Sequence, residues 1–231
     1  MKLLAFELAT EACSVSLWLD GEVRERFEVA PRRHAELALP WAAALLAEAG
    51  IARSQLDAIA VGRGPGAFTG VRLAIAIGQG VALALDRPMV GISTLAALAR
   101  QAGEGRVLAT IDARMSEVYA ATYERSGDEL RLLDSETVGP PDQVRLPDDD
   151  TGWHGVGTGL EACDGALRIR LADRLASAGG HALPRAGDVA HLGALAATRG
   201  ELVAPERVEP AYLRNNVALT LAQQQALRER R

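Results

Sequence analysis

The sequence predicts a duplicated, mixed α/β architecture. Three observations carry that prediction. The first half reads as three antiparallel strands followed by alternating helix and strand. The second half begins again in the same way: Phe6-Glu7-Leu8-Ala9 closes the first strand, and Ile111-Asp112-Ala113-Arg114 holds the matching place later. Between them lies a helix lined with glycine and alanine at four-residue spacing on two of its sides.

The elements follow in order. Leu3 to Leu8 reads as a strand. Cys13 to Leu19 is a second, and Asp20-Gly21 is a strong hairpin signal leading into a third, Glu22 to Val29. Ala35 to Ala49 has helical periodicity and is stopped by Gly50. Asp57-Ala58-Ile59-Ala60-Val61 is a short apolar run suited to a buried strand. Gly64-Pro65-Gly66 breaks it, because glycine permits positive φ and proline fixes its own. Thr69 is placed to cap the helix that follows. That helix carries Gly70, Ala74, Gly78 and Ala82 on one stripe, and Ala76, Gly80 and Ala84 nearly opposite. Each interior glycine costs about 1 kcal/mol relative to alanine, which close approach of other backbones would offset. One face can meet the chain's own sheet; the other calls for a second helix, such as one from another protein. Pro88 to Ile92 is a strand, and Ser93 or Thr94 caps a helix reaching Ala102.

Gly103-Glu104-Gly105 is the predicted boundary, giving lobes 1–103 and 104–231, with the terminal helix free to pack back on the first. The second lobe continues with a strand at Val118 to Tyr123, a polar connection from Pro140 to Asp150, and a short strand at His154 to Val156. Gly157-Thr158-Gly159 opens a helix, Val189 to Arg199 is another, and Pro205 to Asn216 looks extended. Val217 to Arg231 is a glutamine-rich helix or a frayed tail. This order is similar to the ribonuclease-H-like lobe that is paired in the actin, Hsp70 and sugar-kinase (ASKHA) superfamily.

Bulk properties narrow the function. A net charge of -5 argues against a dedicated nucleic-acid clamp, though not against RNA contact inside an assembly. Lys2 is the single lysine; Arg207, Arg214 and the terminal Arg228, Arg230 and Arg231 are the late basic residues that could meet RNA. Two cysteines, Cys13 and Cys163, without metal-ligand spacing fit a reducing, cytoplasmic setting. The first residues lack the apolar stretch of a secretory signal. The small-residue helix carries Arg72 and Gln79, which argues against a membrane span.

Candidate chemistry is sparse. The loop of Gly64, Gly66, Thr69 and Gly70 offers amides at a helix start, and Arg72 could add charge for a phosphate. It lacks the Gly-Lys-Ser/Thr of a Walker loop, so a tight structural turn is the favoured reading. Glu7 and Asp112 end equivalent strands and could hold magnesium and a phosphate across a cleft. The turn after Glu7 has no glycine, which leaves at most a vestigial nucleotide site. No metal site is expected: one helical turn after His34 stands Ala38. Cys13 sits in an apolar strand and should be inert. The helix from Ala35 carries Leu37, Trp41 and Leu45, and with the small-residue helix it makes a pair of smooth surfaces fit for helix docking.

Five blocks, A-T-E-A-C-S-V-S-L-W, R-R-H-A-E-L-A-L-P, G-R-G-P-G-A-F-T-G-V-R, I-D-A-R-M-S-E-V-Y and P-A-Y-L-R-N-N, together resemble the TsaB (YeaZ) family across most of the chain. The resemblance implies two ASKHA-type lobes and a role in making threonylcarbamoyladenosine at adenosine 37 of tRNA. It implies no catalysis by this chain and no cofactor. The expected partner is the catalytic subunit TsaD, bound through helices of the first lobe. TsaE joins the complex, tRNA is met through it, and the free chain can self-associate as a dimer. On this reading the partner face comprises His34, Leu37, Trp41, Leu45, Arg72, Ile75, Ala76, Gln79, Gly80 and Leu83. Glu7-Leu8 departs from the Asp-Thr common in relatives, which weakens nucleotide binding further. Two other readings have distinct tests. A lone ATPase or sugar kinase would use Glu7, Asp112 and Gly157-Thr158-Gly159; a protease would need a nucleophile–base pair that the sequence does not offer.

Overall fold

The structure is a computed structural model that describes residues 1–214. It opens on a meander of β1 (Lys2–Glu7), β2 (Ala12–Leu19) and β3 (Glu22–Val29), turned by Asp20 and Gly21, both at positive φ. Then come α1 (His34–Glu48), β4 (Ala58–Gly62), α2 (Phe68–Leu85), β5 (Met89–Ile92) and α3 (Thr94–Ala99). β1 and β2 are antiparallel, while β4 runs parallel to β1 and β5 to β4. The first sheet has five strands in the order β3-β2-β1-β4-β5.

The second half repeats the plan with β6 (Gly105–Arg114), β7 (Glu117–Ser126), β8 (Glu129–Leu132), β9 (Thr137–Gly139) and β10 (Trp153–Val156). It ends with α4 (Ala162–Arg170), β11 (Leu175–Gly179) and α5 (Ala186–Thr198). The second sheet runs β11-β10-β6-β7-β8, with β9 added beside β7. β1 and β6 hold equivalent places, each with an antiparallel neighbour on one side and a parallel one on the other. The chain is thus two ribonuclease-H-like lobes of the ASKHA type.

Side-chain alternation explains the layers. On β1, Leu4 and Phe6 face α1 and α2, while Leu3 and Ala5 face α5. On β4, Ile59 and Val61 face α2, and Ala58 and Ala60 face α5. The alanine face lets α5 come close: a Cβ on Gly193 would stand 3.0 Å from the Cβ of Ala60. Two serines of β2 fix the start of α5. Ser16 donates to the carbonyl of Ala186 at 2.7 Å, and Ser14 accepts from the amide of Ala186 at 2.9 Å. Glu25 of β3 accepts from the amide of Gly187 at 2.8 Å and pairs with Arg185.

The strands divide at Gly103–Gly105, but the helices cross over. α3, expected in the first lobe, packs Leu95, Leu98 and Ala99 against Val107, Ala109 and Ile111 of the second sheet. α5, expected in the second lobe, covers the first sheet. Val203 also returns to the first sheet, bridging to Met89. The helix expected from Val217 lies outside the described residues.

Three local expectations also change. Thr69 does not cap α2, which starts at Phe68, two residues earlier than a Thr69 cap would set, with Ala67 at its N-cap and no side-chain cap. Ser93 does cap α3, its oxygen accepting from the amides of Leu95 and Ala96 at 3.1 and 3.2 Å. α3 ends at Ala99, short of Ala102. Gly157-Thr158-Gly159 opens a single 3-10 turn ahead of α4 rather than α4 itself.

Candidate functional site

Two features of the surface stand out, and the glycine loop joins them. α2 lies on the first sheet through its Ala74–Gly78–Ala82 stripe. A Cβ on Gly78 would stand 2.5 Å from Val61 Cγ1 and 2.8 Å from Met89 Cε. A Cβ on Gly70 would stand 2.0 Å from the Leu8 carbonyl oxygen, and one on Gly66 2.4 Å from that of Ala9. The Ala67 amide donates to the same Ala9 carbonyl at 2.7 Å. Gly66 and Gly70 therefore let α2 start hard against the turn after β1. This is close packing of backbone on backbone.

The opposite side of α2 is open. Ala76, Gly80 and Ala84 are exposed, Gly80 has nothing within 4 Å of a Cβ position, and Leu83 is 64% exposed. Beside it, α1 turns Ala35, Leu39, Ala43 and Ala47 outward. Both helices bury their other sides in one core with Leu4, Phe6, Val15 and Val61. The result is an open two-helix face on which alanine, glycine and leucine predominate.

Several residues expected on that face lie elsewhere. Leu37, Leu45 and Ile75 are buried in the chain's own core, since each sits on the sheet-facing stripe of its helix. Trp41 is half-buried against the same core. His34 Nε2 stands 3.0 and 3.1 Å from the carbonyl oxygens of Thr10 and Ala12; two acceptors require the proton on Nε2. Gln79 donates to the carbonyl of Pro205 at 2.9 Å and so is spent on its own chain. Arg72 lines the cleft described next. Ala76, Gly80 and Leu83 remain on the open face. Leu39 and Ala43 were missed; their spacing on α1, out of phase with the buried stripe, was the available signal.

The second feature is a cleft of about 1170 Å³ between the lobes. Its walls are the turn after β1 (Ala9 to Glu11), the start of α2, the end of β6 (Ile111 to Arg114) and the segment Ala211 to Arg214. Glu7 and Asp112 do not meet in it. Glu7 is buried below, filling the space left by the missing side chain of Gly62; a Cβ there would stand 1.9 Å from its Oε2. Its carboxyl takes the Ala9 amide at 2.8 Å and lies 3.0 Å from Thr94 Oγ1. Burial pushes its pKa up to about 7, against the opposing pull of these bonds. Asp112 lines the cleft but is engaged by the amide and guanidinium of Arg114, both at 2.8 Å. Thr158 Oγ1 accepts from the Asp112 amide at 3.1 Å. Among the described residues no group of three His, Cys, Asp or Glu side chains is set to hold a metal ion. Burial pushes the Cys13 thiol up to about 11, which leaves it unreactive.

A family model described as TsaD, tRNA N6-adenosine threonylcarbamoyltransferase, matches residues 27–221. The tRNA threonylcarbamoyladenosine biosynthesis protein TsaB of Escherichia coli is 42% identical over 94% of this chain and 96% of its own length. The chain belongs to the TsaB (YeaZ) family. The Haemophilus influenzae TsaB is 37% identical over 94% of this chain and 95% of its own length. YeaZ from Pseudomonas aeruginosa superposes with a TM-score of 0.83 at 45% identity, covering 92% of this chain and 99% of that one. A second P. aeruginosa structure, described as having similarity to peptidase YEAZ, gives 0.85 at 46% identity over the same shares. The TsaB family thus shares both this chain's sequence and its two-lobed fold, and its Escherichia coli and Haemophilus influenzae members are tRNA threonylcarbamoyladenosine biosynthesis proteins.

Proposed function

We propose that the chain is a non-catalytic scaffold subunit in tRNA threonylcarbamoyladenosine synthesis. It docks the catalytic subunit, TsaD, on the face formed by α1 and α2, and TsaE joins that pair. The observation that carries this reading is the asymmetry of α2. Its inner glycines and alanines are filled by the chain's own sheet, while Ala76, Gly80, Leu83 and Ala84 stand open. Helix-on-helix packing needs such small residues so that ridges can enter grooves at ~8–10 Å axial separation. The lone-kinase reading loses its support, because Glu7 is turned away from the cleft and Asp112 is held by Arg114.

The test is capture of purified TsaD by the tagged chain. Ala76→Glu and Gly80→Leu should each fold normally and fail to capture it, and tRNA modification reconstituted with TsaD, TsaE and the threonylcarbamoyl-adenylate synthase should stop. Modification by this chain alone, or full capture by both variants, would refute the reading.

A further inference from the structure

We propose that the mouth of the cleft binds an unpaired stretch of RNA. The proposal rests on the scaffold reading above and adds to it the surface that meets the substrate. Charge is the first argument. The chain carries a net -5, yet four arginines line the cleft, Arg32, Arg72, Arg114 and Arg214, against Glu11, Asp112 and Glu161. Asp112 is held by Arg114, Glu161 is paired with Arg168 at 2.8 Å and Arg214 with Glu117, which leaves Arg32 and Arg72 facing Glu11 alone. Local positive charge on an acidic chain marks a place for an anion.

The aromatic rim is the second argument, independent of the first. Phe68 and Tyr212 stack at 29° with centroids 6.3 Å apart, and are 60% and 53% exposed. The guanidinium of Arg72 lies 3.1 Å from the Phe68 centroid and 4.8 Å from that of Tyr212. Its Nη1 donates to the Phe68 carbonyl at 3.5 Å, so the guanidinium is already fixed against the rings and little freedom is lost when its remaining donors meet a phosphate. Exposed ring faces stack on bases whatever their identity, and a basic groove with such rings is the general recipe for single-stranded nucleic acid.

Size and placement favour an RNA strand over a free nucleotide. The cleft, about 1170 Å³, exceeds the ~300–1,000 Å³ usual for a small-molecule site. The rings stand on its rim, where a base from a longer strand can reach them. The rim begins at Phe68, the first residue of α2, so RNA bound here would lie beside a subunit docked on the open face.

The experiment uses the full-length chain and three probes: a fluorescently labelled RNA stem-loop with an unpaired loop, a fully paired RNA duplex, and ATP with magnesium. The stem-loop should bind in preference to the duplex, and excess ATP should not displace it. Phe68→Ala and Tyr212→Ala should each weaken binding about tenfold, as removal of a base-stacking ring does elsewhere. Arg32→Gln should lower the salt slope by about 0.7, the share of one phosphate on a single strand. Arg131→Gln, on exposed β8 away from the cleft, is the control and should bind as the parent does. Circular dichroism confirms the fold of each variant, and Arg32→Gln, at an exposed position, keeps the test sound if a ring variant misfolds. Unchanged affinity in the ring variants and Arg32→Gln, equal duplex binding, or displacement by ATP would each overturn the proposal. TsaD capture is measured on the same samples: its absence in the parent chain sinks the scaffold reading, whereas normal capture with unaltered RNA binding in the variants sinks this one alone.

Discussion

One substitution made at two places on α2 should have opposite effects. Alanine at an open helical position restores about 0.5–1 kcal/mol by restricting the unfolded chain and improving helix propensity. Gly80 is such a position, with no heavy atom within 4 Å of the new methyl group. At Gly78 the methyl would stand 2.5 Å from Val61 Cγ1 and 2.8 Å from Met89 Cε. Met89 can swing its terminal methyl aside, but Val61 is β-branched and fixed in the middle of a buried sheet. Overpacking of this kind costs about 1–3 kcal/mol. Gly80→Ala should therefore raise the midpoint of thermal unfolding, and Gly78→Ala should lower it, by about 2–4 °C per kcal/mol in a chain of this size. The measurement is thermal unfolding by circular dichroism with urea titration as a check. Equal shifts of the same sign at both positions would refute the assignment of inner and outer faces. Gly80→Ala should also weaken TsaD capture while stabilising the free chain, which separates docking from folding.

Three further outcomes follow from the same geometry. Gly70→Ala should be worse than Gly78→Ala, because the obstruction is the Leu8 carbonyl, a backbone atom that cannot rotate away; urea titration of the pair ranks them. Glu7→Gln should remove a pH dependence: with the folded carboxyl at about 7 against 4.5, the parent is most stable below pH 4.5 on this account. It should lose about 3 kcal/mol as pH rises towards 7, when only the unfolded state releases the proton. The Gln variant keeps both hydrogen-bond partners and should show a flatter stability curve between those limits, read by urea titration across pH. Ser93→Ala removes the α3 cap and should cost about 1 kcal/mol, visible as a lower urea midpoint.

Much of the fold was legible because its signals are local. Asp20-Gly21 specified a hairpin, the apolar run at Ile59 a buried strand, and Gly50 a helix end. The duplication was visible in the matched strand ends at Glu7 and Asp112. β8, β9 and β11 were not legible, being short and without a buried residue to impose alternation. The crossing of α3 and α5 was also hidden. It depends on which sheet a helix meets in space, and both helices are alanine-rich enough to suit either.

The same distance between sequence and space governed the candidate site. Gly70, Ala74 and Gly78 could be read as one stripe and Ala76, Gly80 and Ala84 as another. Which of the two would turn inward could not, because both are equally small. Ile75 was misplaced for that reason; Leu37 and Leu45 were misplaced because the apolar stripe of α1 suits the chain's own sheet as well as a partner, and it is buried there. Phe68 and Tyr212 lie far apart in the chain and come together only when Ala211 hydrogen-bonds to Arg63 and brings the late segment back along α2.

The helix α5 has a consequence for biogenesis. As the polypeptide leaves the ribosome, Leu3, Ala5, Ala58 and Ala60 have no cover until residues 186–198 have been made. The early half must wait, with one side of its sheet wet, for most of translation. A fragment cut at the midpoint should be sticky and prone to precipitate, and neither half should survive well without the other.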